Sequence, residues 1–100
     1  MVTKKPKSAR KLERHLKGIA NHYRIQMLLL IGKRPGITLE EIMTELKGNQ
    51  KTFSEHTRRL VIAGLVEKAY AGRAVEHRLT PYGKVFFEFL TSFAHSAKDD

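Results

Sequence analysis

The chain has 100 residues, 41% of them hydrophobic, the size and composition of one domain able to bury its own core. It contains no cysteine, which excludes disulfides and thiolate metal sites, and no apolar run of the roughly 18 residues that a membrane span needs. Nineteen Lys and Arg oppose ten Asp and Glu, a formal charge of +9 that favours a polyanionic partner, nucleic acid before an anionic membrane.

The first seventeen residues carry seven basic groups (Lys4, Lys5, Lys7, Arg10, Lys11, Arg14, Lys17) and one acid, Glu13. Residues 1–7 are polar, interrupted by Pro6 and aperiodic, so a disordered basic arm is expected there. No apolar core follows them, as a secretory signal would require. Ser8 can cap a first helix to about Lys17, with Leu12, Leu16 and Ile19 on one face and Gly18 at its end.

Asn21 caps a second helix, about His22 to Lys33. Ile25, Leu28, Leu29 and Leu30 make it apolar on nearly all sides, as a central core helix would be. Gly32 and Arg34-Pro35-Gly36 stop it. Thr38-Leu39-Glu40-Glu41 is a capping box opening a third helix, with Leu39, Ile42, Met43 and Leu46 inward and Gly48 at its end. Asn49 caps a fourth, about Gln50 to Ala63, and Gly64 supplies a left-handed stop.

The period then changes. Residues 65–70 and 74–79 are two strand-like runs around the Ala71-Gly72-Arg73 loop, a hairpin. Thr80-Pro81 opens a fifth helix carrying Tyr82, Val85, Phe86, Phe87, Phe89, Leu90 and Phe93, followed by a polar tail over 96–100. There is no internal repeat.

This order predicts a mainly α fold with a small β-hairpin: a winged helix-turn-helix domain over residues 8–95, about five helices plus a two-stranded wing. In such a domain the second helix of the pair enters the major groove. Phe53, Thr57, Leu60 and Val61 of the fourth helix should pack inward. Gln50, Lys51, Ser54, Glu55 and Arg58 should face outward, where Gln can pair with adenine, Lys and Arg with guanine or phosphate, and Glu with cytosine. Thr52 and His56 complete the candidate recognition surface. Arg59 is placed for a phosphate, and Arg73 sits near the wing tip. Any one such surface is ordinarily just solvated; the short turn, the wing and the charge together favour DNA.

Two stretches carry a family resemblance. Leu16-Lys17-Gly18-Ile19-Ala20-Asn21-His22-Tyr23-Arg24 is similar to the junction of the first two helices in ArsR-type bacterial and archaeal repressors. Gln50 to Leu60, followed by Ala63-Gly64-Leu65-Val66, resembles that family's recognition helix and its exit into the wing, with Ser54 and His56 matching its Ser-x-His pattern. Leu79-Thr80-Pro81-Tyr82-Gly83-Lys84 looks more like the wing exit of MarR- and PadR-type regulators. The resemblance spans about residues 12–90. Departures are His22 where the family often has Pro, Thr57 where it usually has Leu, and the acidic Glu55, so no target sequence carries over.

The resemblance implies a sequence-specific transcriptional regulator of double-stranded DNA, most simply a repressor, in a bacterial or archaeal cytoplasm and associated with the nucleoid. The family's cysteine metal site is impossible here. A second, on the last helix, would have only His95 and Asp99, so no metal and no cofactor is expected. His15, His22, His56 and His77 form no His-x-x-x-His pair and read as packing or surface residues. No catalytic order of residues is present, so no enzyme is expected.

Five phenylalanines are hard for one small domain to hide. A homodimer is therefore expected, built from Leu12, Leu16, Val85, Phe86, Phe89, Leu90 and Phe93 of the first and last helices. Two other readings stay open: an architectural protein that coats DNA without reading it, and a winged-helix module that binds protein. The sequence names no effector.

Overall fold

The computed structural model describes residues 5–96; the outer parts of the expected arm and tail, residues 1–4 and 97–100, lie outside the described residues. Five helices and three strands follow one another as α1 (Ala9–Ile19), α2 (His22–Lys33), β1 (Ile37–Thr38), α3 (Leu39–Leu46), α4 (Gln50–Ile62), β2 (Val66–Ala71), β3 (Ala74–Leu79) and α5 (Pro81–Ser96).

Helix starts follow local chemistry. Ser8, Asn21, Thr38 and Asn49 each accept from backbone amides in the first turn of the helix they open. At α3 the box is reciprocal: Glu41 N donates to Thr38 Oγ1, and Thr38 N donates to Glu41 Oε1 at 2.9 Å. Those bonds from Thr38, with Arg34 nearby, hold the Glu41 carboxyl below its ordinary pKa.

Helix ends are set more by packing. The first helix does not stop at Lys17 but runs through Gly18 to Ile19, and Gly18 serves a close approach instead of a stop: a Cβ there would collide with Cβ of Ala63 on α4. Between α3 and α4 the left-handed residue is Lys47 (φ 57°). Gly48 is instead the site where the Phe53 ring lies against bare backbone. After α4, Gly64 turns left-handed at φ 77°, the expected stop.

The wing has three strands rather than two. The strand order is β1-β3-β2, all antiparallel, with Ile37 opposite His77 and Val66 opposite Leu79. The hairpin turns on Gly72 and Arg73 alone, with Ala71 paired to Ala74 and Gly72 left-handed at φ 64°.

Met27, Leu28 and Ile31 make α2 the centre of the core, with Ile42, Phe53, Leu60, Leu65, Val66 and Leu79 packed round them. Each buried aliphatic side chain contributes about 1.5–3 kcal/mol of transfer free energy.

His77 lies buried in β3, and its Nδ1–H donates to the Ile37 carbonyl at 3.0 Å, tying β1 to the sheet. Burial lowers its pKa from the ordinary 6.5. The folded state therefore resists protonation: stability is full above about pH 6.5 and falls as acid takes the pH through the lower folded value. The melting temperature should drop between pH 8 and pH 5, and His77→Gln should flatten that profile. His56, lowered in the same direction, supplies the residual slope.

Candidate nucleic-acid interface

Helix α4 divides as its spacing predicts. Phe53, Thr57 and Leu60 are buried, Val61 packs against the core, and Gln50, Lys51, Thr52, Arg58 and Arg59 are exposed. Thr57 stands buried without penalty because its hydroxyl donates to the Ser54 carbonyl at 2.9 Å.

Glu55 is engaged by two arginines. Its Oε1 accepts from Arg58 Nε at 2.9 Å, and its Oε2 accepts from Arg58 Nη2 at 2.7 Å and Arg59 Nε at 2.9 Å. Spacings of three and four residues make this possible on one helix face. The bonds from Arg58, then Arg59, pull the Glu55 carboxyl down to about 2, so it is ionised at any physiological pH. The same pairing raises the Arg58 pKa.

His56 is half-buried and turned toward α2 rather than presented with its neighbours. Its ring stacks on Tyr23, with centroids 5.7 Å apart, and Arg24 donates to its Nδ1 at 3.2 Å. Arginine has only donors, so Nδ1 must accept and the ring is neutral. Burial, then the Arg24 charge, lowers its pKa. Arg24 also donates through Nε to the Gly18 carbonyl at 2.6 Å. Burial, then the charge of Arg59, lowers the Arg24 pKa.

The other end of α4 is held by α1. Arg14 donates to the Ile62 carbonyl and His15 Nδ1–H to the Ala63 carbonyl, both at 2.6 Å. Last-turn carbonyls that lack helical partners are thus satisfied from α1. The candidate reading helix is fixed at one end by Arg14 and His15 and midway by Arg24. In the sequence Arg24 stood out only as the last residue of the junction stretch that carries the family resemblance, with no role attached to it.

Between α4 and the wing lies a cleft of about 210 Å³ that brings together Gln50 and Ser54 of the helix with Lys68, Tyr70 and Arg73 of the hairpin. Lys68 and Tyr70 were not among the sequence candidates. A two-residue period counted from the buried Val66 puts both on one face of β2.

On α5 the expected apolar face splits. Phe86, Phe87 and Leu90 pack against the domain's own core, whereas Val85, Phe89 and Phe93 remain 64%, 58% and 65% exposed. Phe86 and Leu90, expected at the dimer interface, thus spend much of their surface inside the domain itself. Leu12 and Leu16 on α1 are also exposed. Lys7, placed in the expected arm, lies over the Tyr82 ring at 4.1 Å from its centroid.

Among the described residues no three His, Asp or Glu side chains are grouped to hold a metal ion. His95 is exposed, and Asp99 lies outside the described residues. No described helix is long and apolar enough to cross a membrane.

No protein-family model and no curated protein matches the sequence. Solved structures do. The homodimeric winged helix-turn-helix DNA-binding domain of Mb0332 from Mycobacterium bovis, a possible ArsR-family regulator, aligns with a TM-score of 0.80 at 24% identity, covering 100% of this chain and 97% of that one. This chain has the winged helix-turn-helix fold. The transcriptional regulator HlyU of Vibrio vulnificus aligns with a TM-score of 0.74 at 26% identity over 85% of this chain and 88% of its own. The transcriptional repressor PagR of Bacillus anthracis gives 0.73 at 18% identity over 81% and 93%. The fold expected from the sequence is borne out, with a third strand added to the wing.

Proposed function

We propose that this winged helix-turn-helix protein is a sequence-specific, double-stranded-DNA-binding transcriptional regulator that acts as a homodimer and represses by occupying its site. The carrying observation is the cleft where Gln50 and Ser54, near the start of α4, meet Lys68 and Arg73 of the wing. A helix N-terminus with amide and hydroxyl side chains suits base edges, and cations on a flanking ribbon suit phosphates. The homodimeric neighbour and the exposed apolar residues of α1 and α5 support two copies per site. No effector, cofactor or enzymatic role is part of this reading.

Titration of a labelled duplex at several salt concentrations tests it. The logarithm of affinity should fall by about 0.9 per logarithm of salt for each phosphate neutralised. Ser54→Ala should relax sequence preference at one position, by about 1 kcal/mol for a single neutral hydrogen bond. Arg73→Ala should weaken all duplexes alike and reduce the salt slope by about one per protomer. Failure of the folded protein to shift any duplex at low salt would favour a protein-binding module instead.

A further inference from the structure

An acid on a DNA-reading face is costly wherever phosphates approach, and Glu55 stands on that face, half-buried and between exposed arginines. Cytosine reading by Glu55 requires a carboxylate oxygen open to the base amine. Three of its roughly four acceptor positions are already in use: Arg58 holds both oxygens in a fork, and Arg59 holds Oε2 as well. A cytosine amine would be left the one remaining position on Oε1, beside Arg58, or would have to displace a charge-assisted bond.

From this triad we infer that Glu55 is a specificity-determining positioning residue, which acts through Arg58 and Arg59 rather than on a base, and which holds down binding to unrelated DNA. The inference rests on the DNA-binding reading above.

The physical effect has two parts. One acid against two arginines leaves the cluster with one net positive charge instead of two, so the sequence-independent attraction to phosphates is weaker. The same bonds fix the two guanidiniums relative to each other before DNA arrives. Arg59 is engaged through Nε, so its terminal amines stay available as donors. On a site whose groups match the fixed arginines, the ordering cost saved offsets the charge lost. On a random duplex nothing offsets it. Discrimination therefore comes from weakening the wrong complex more than the right one.

Glu55→Gln keeps the side chain's shape and removes its charge. In the full chain, with a selected duplex and a random duplex as probes, random-duplex affinity should rise on the order of ten-fold while selected-site affinity changes by less than about three-fold. The salt slope on the random duplex should steepen by about 0.9 for each phosphate newly neutralised. In an Arg58→Ala, Arg59→Ala background the same substitution should strengthen binding to both duplexes alike, because only the charge is then lost, and so leave the ratio of the two affinities unchanged. Circular dichroism should give the same folded spectrum throughout.

Unchanged random-duplex affinity and slope in Glu55→Gln, with normal binding by the unmodified protein, overturns the inference and leaves the DNA-binding reading intact. A loss confined to one base position of the selected site also overturns it, because Glu55 would then be reading that base. If the unmodified protein binds no duplex at all, the underlying reading falls first.

Discussion

A chain carrying Phe89→Glu and Phe93→Glu is expected to be a folded monomer and to bind its DNA site about a thousandfold more weakly. Both rings are more than half exposed and stack on each other with centroids 5.7 Å apart, so the domain's own core does not depend on them. Placed across a two-fold axis, the same positions of a second copy would meet them, and four carboxylates would replace an apolar contact. A monomer reaches one half-site at a time and forfeits the effective concentration that the second reading helix enjoys once the first is bound. Sedimentation at several protein concentrations, followed by DNA titration, checks both halves. A variant that stays dimeric with full affinity would place the interface away from this face of α5.

The second large effect concerns stability. Gly83→Ala should destabilise the domain by roughly 3 kcal/mol, the upper end of the usual range for overpacked core substitutions, because the clash is with backbone. A Cβ at this position would drive into the Leu65 carbonyl oxygen and stand 3.3 Å from Cβ of Leu79. That carbonyl cannot move aside freely, because it accepts from Thr80 N at 3.1 Å. Thr80 Oγ1 in turn donates to the Gly64 carbonyl at 2.6 Å and accepts from Gly83 N at 3.0 Å. The start of α5 is thus tied to the exit of α4 by two hydrogen bonds from Thr80, whose hydroxyl also caps the first turn of α5. For a domain of this size the melting temperature should fall by roughly 12 °C, at about 4 °C per kcal/mol. Gly72→Asn is the control. Its site is open and left-handed, a conformation Asn tolerates, so the melt should hardly change.

What was legible in the sequence follows from the range of the interactions that decide each feature. The caps at Asn21, Thr38 and Asn49 are settled within three or four residues, and the chain displays them outright. The helix-turn-helix pair and the hairpin also follow from local punctuation. Strand β1 does not: two residues carry no period, and Ile37-Thr38 is a strand only because β3 lies beside it. The left-handed turn falls at Lys47 rather than Gly48 because a ring five residues on claims the space at the glycine.

The candidate site shows the same division. Which residues of α4 face outward follows from helical spacing alone. What they do to one another does not, since the spacing that lets Glu55 meet Arg58 and Arg59 also suits it to a base edge. On α5, Phe86 and Phe89 are alike in sequence, and only the position of the core makes one a packing residue and leaves the other exposed. His56 matched a DNA-contact pattern, yet Tyr23 and Arg24 from a different helix determine its surroundings.

The central claim is that α4 and the wing of two copies read a DNA sequence together. Selection of bound duplexes from a random pool by the unmodified chain tests it most directly. The predicted result is enrichment of a pseudo-palindrome whose half-site centres lie about one helical turn, roughly 10 base pairs, apart. A bound pool as random as the input, or no retained DNA at low salt, would contradict it.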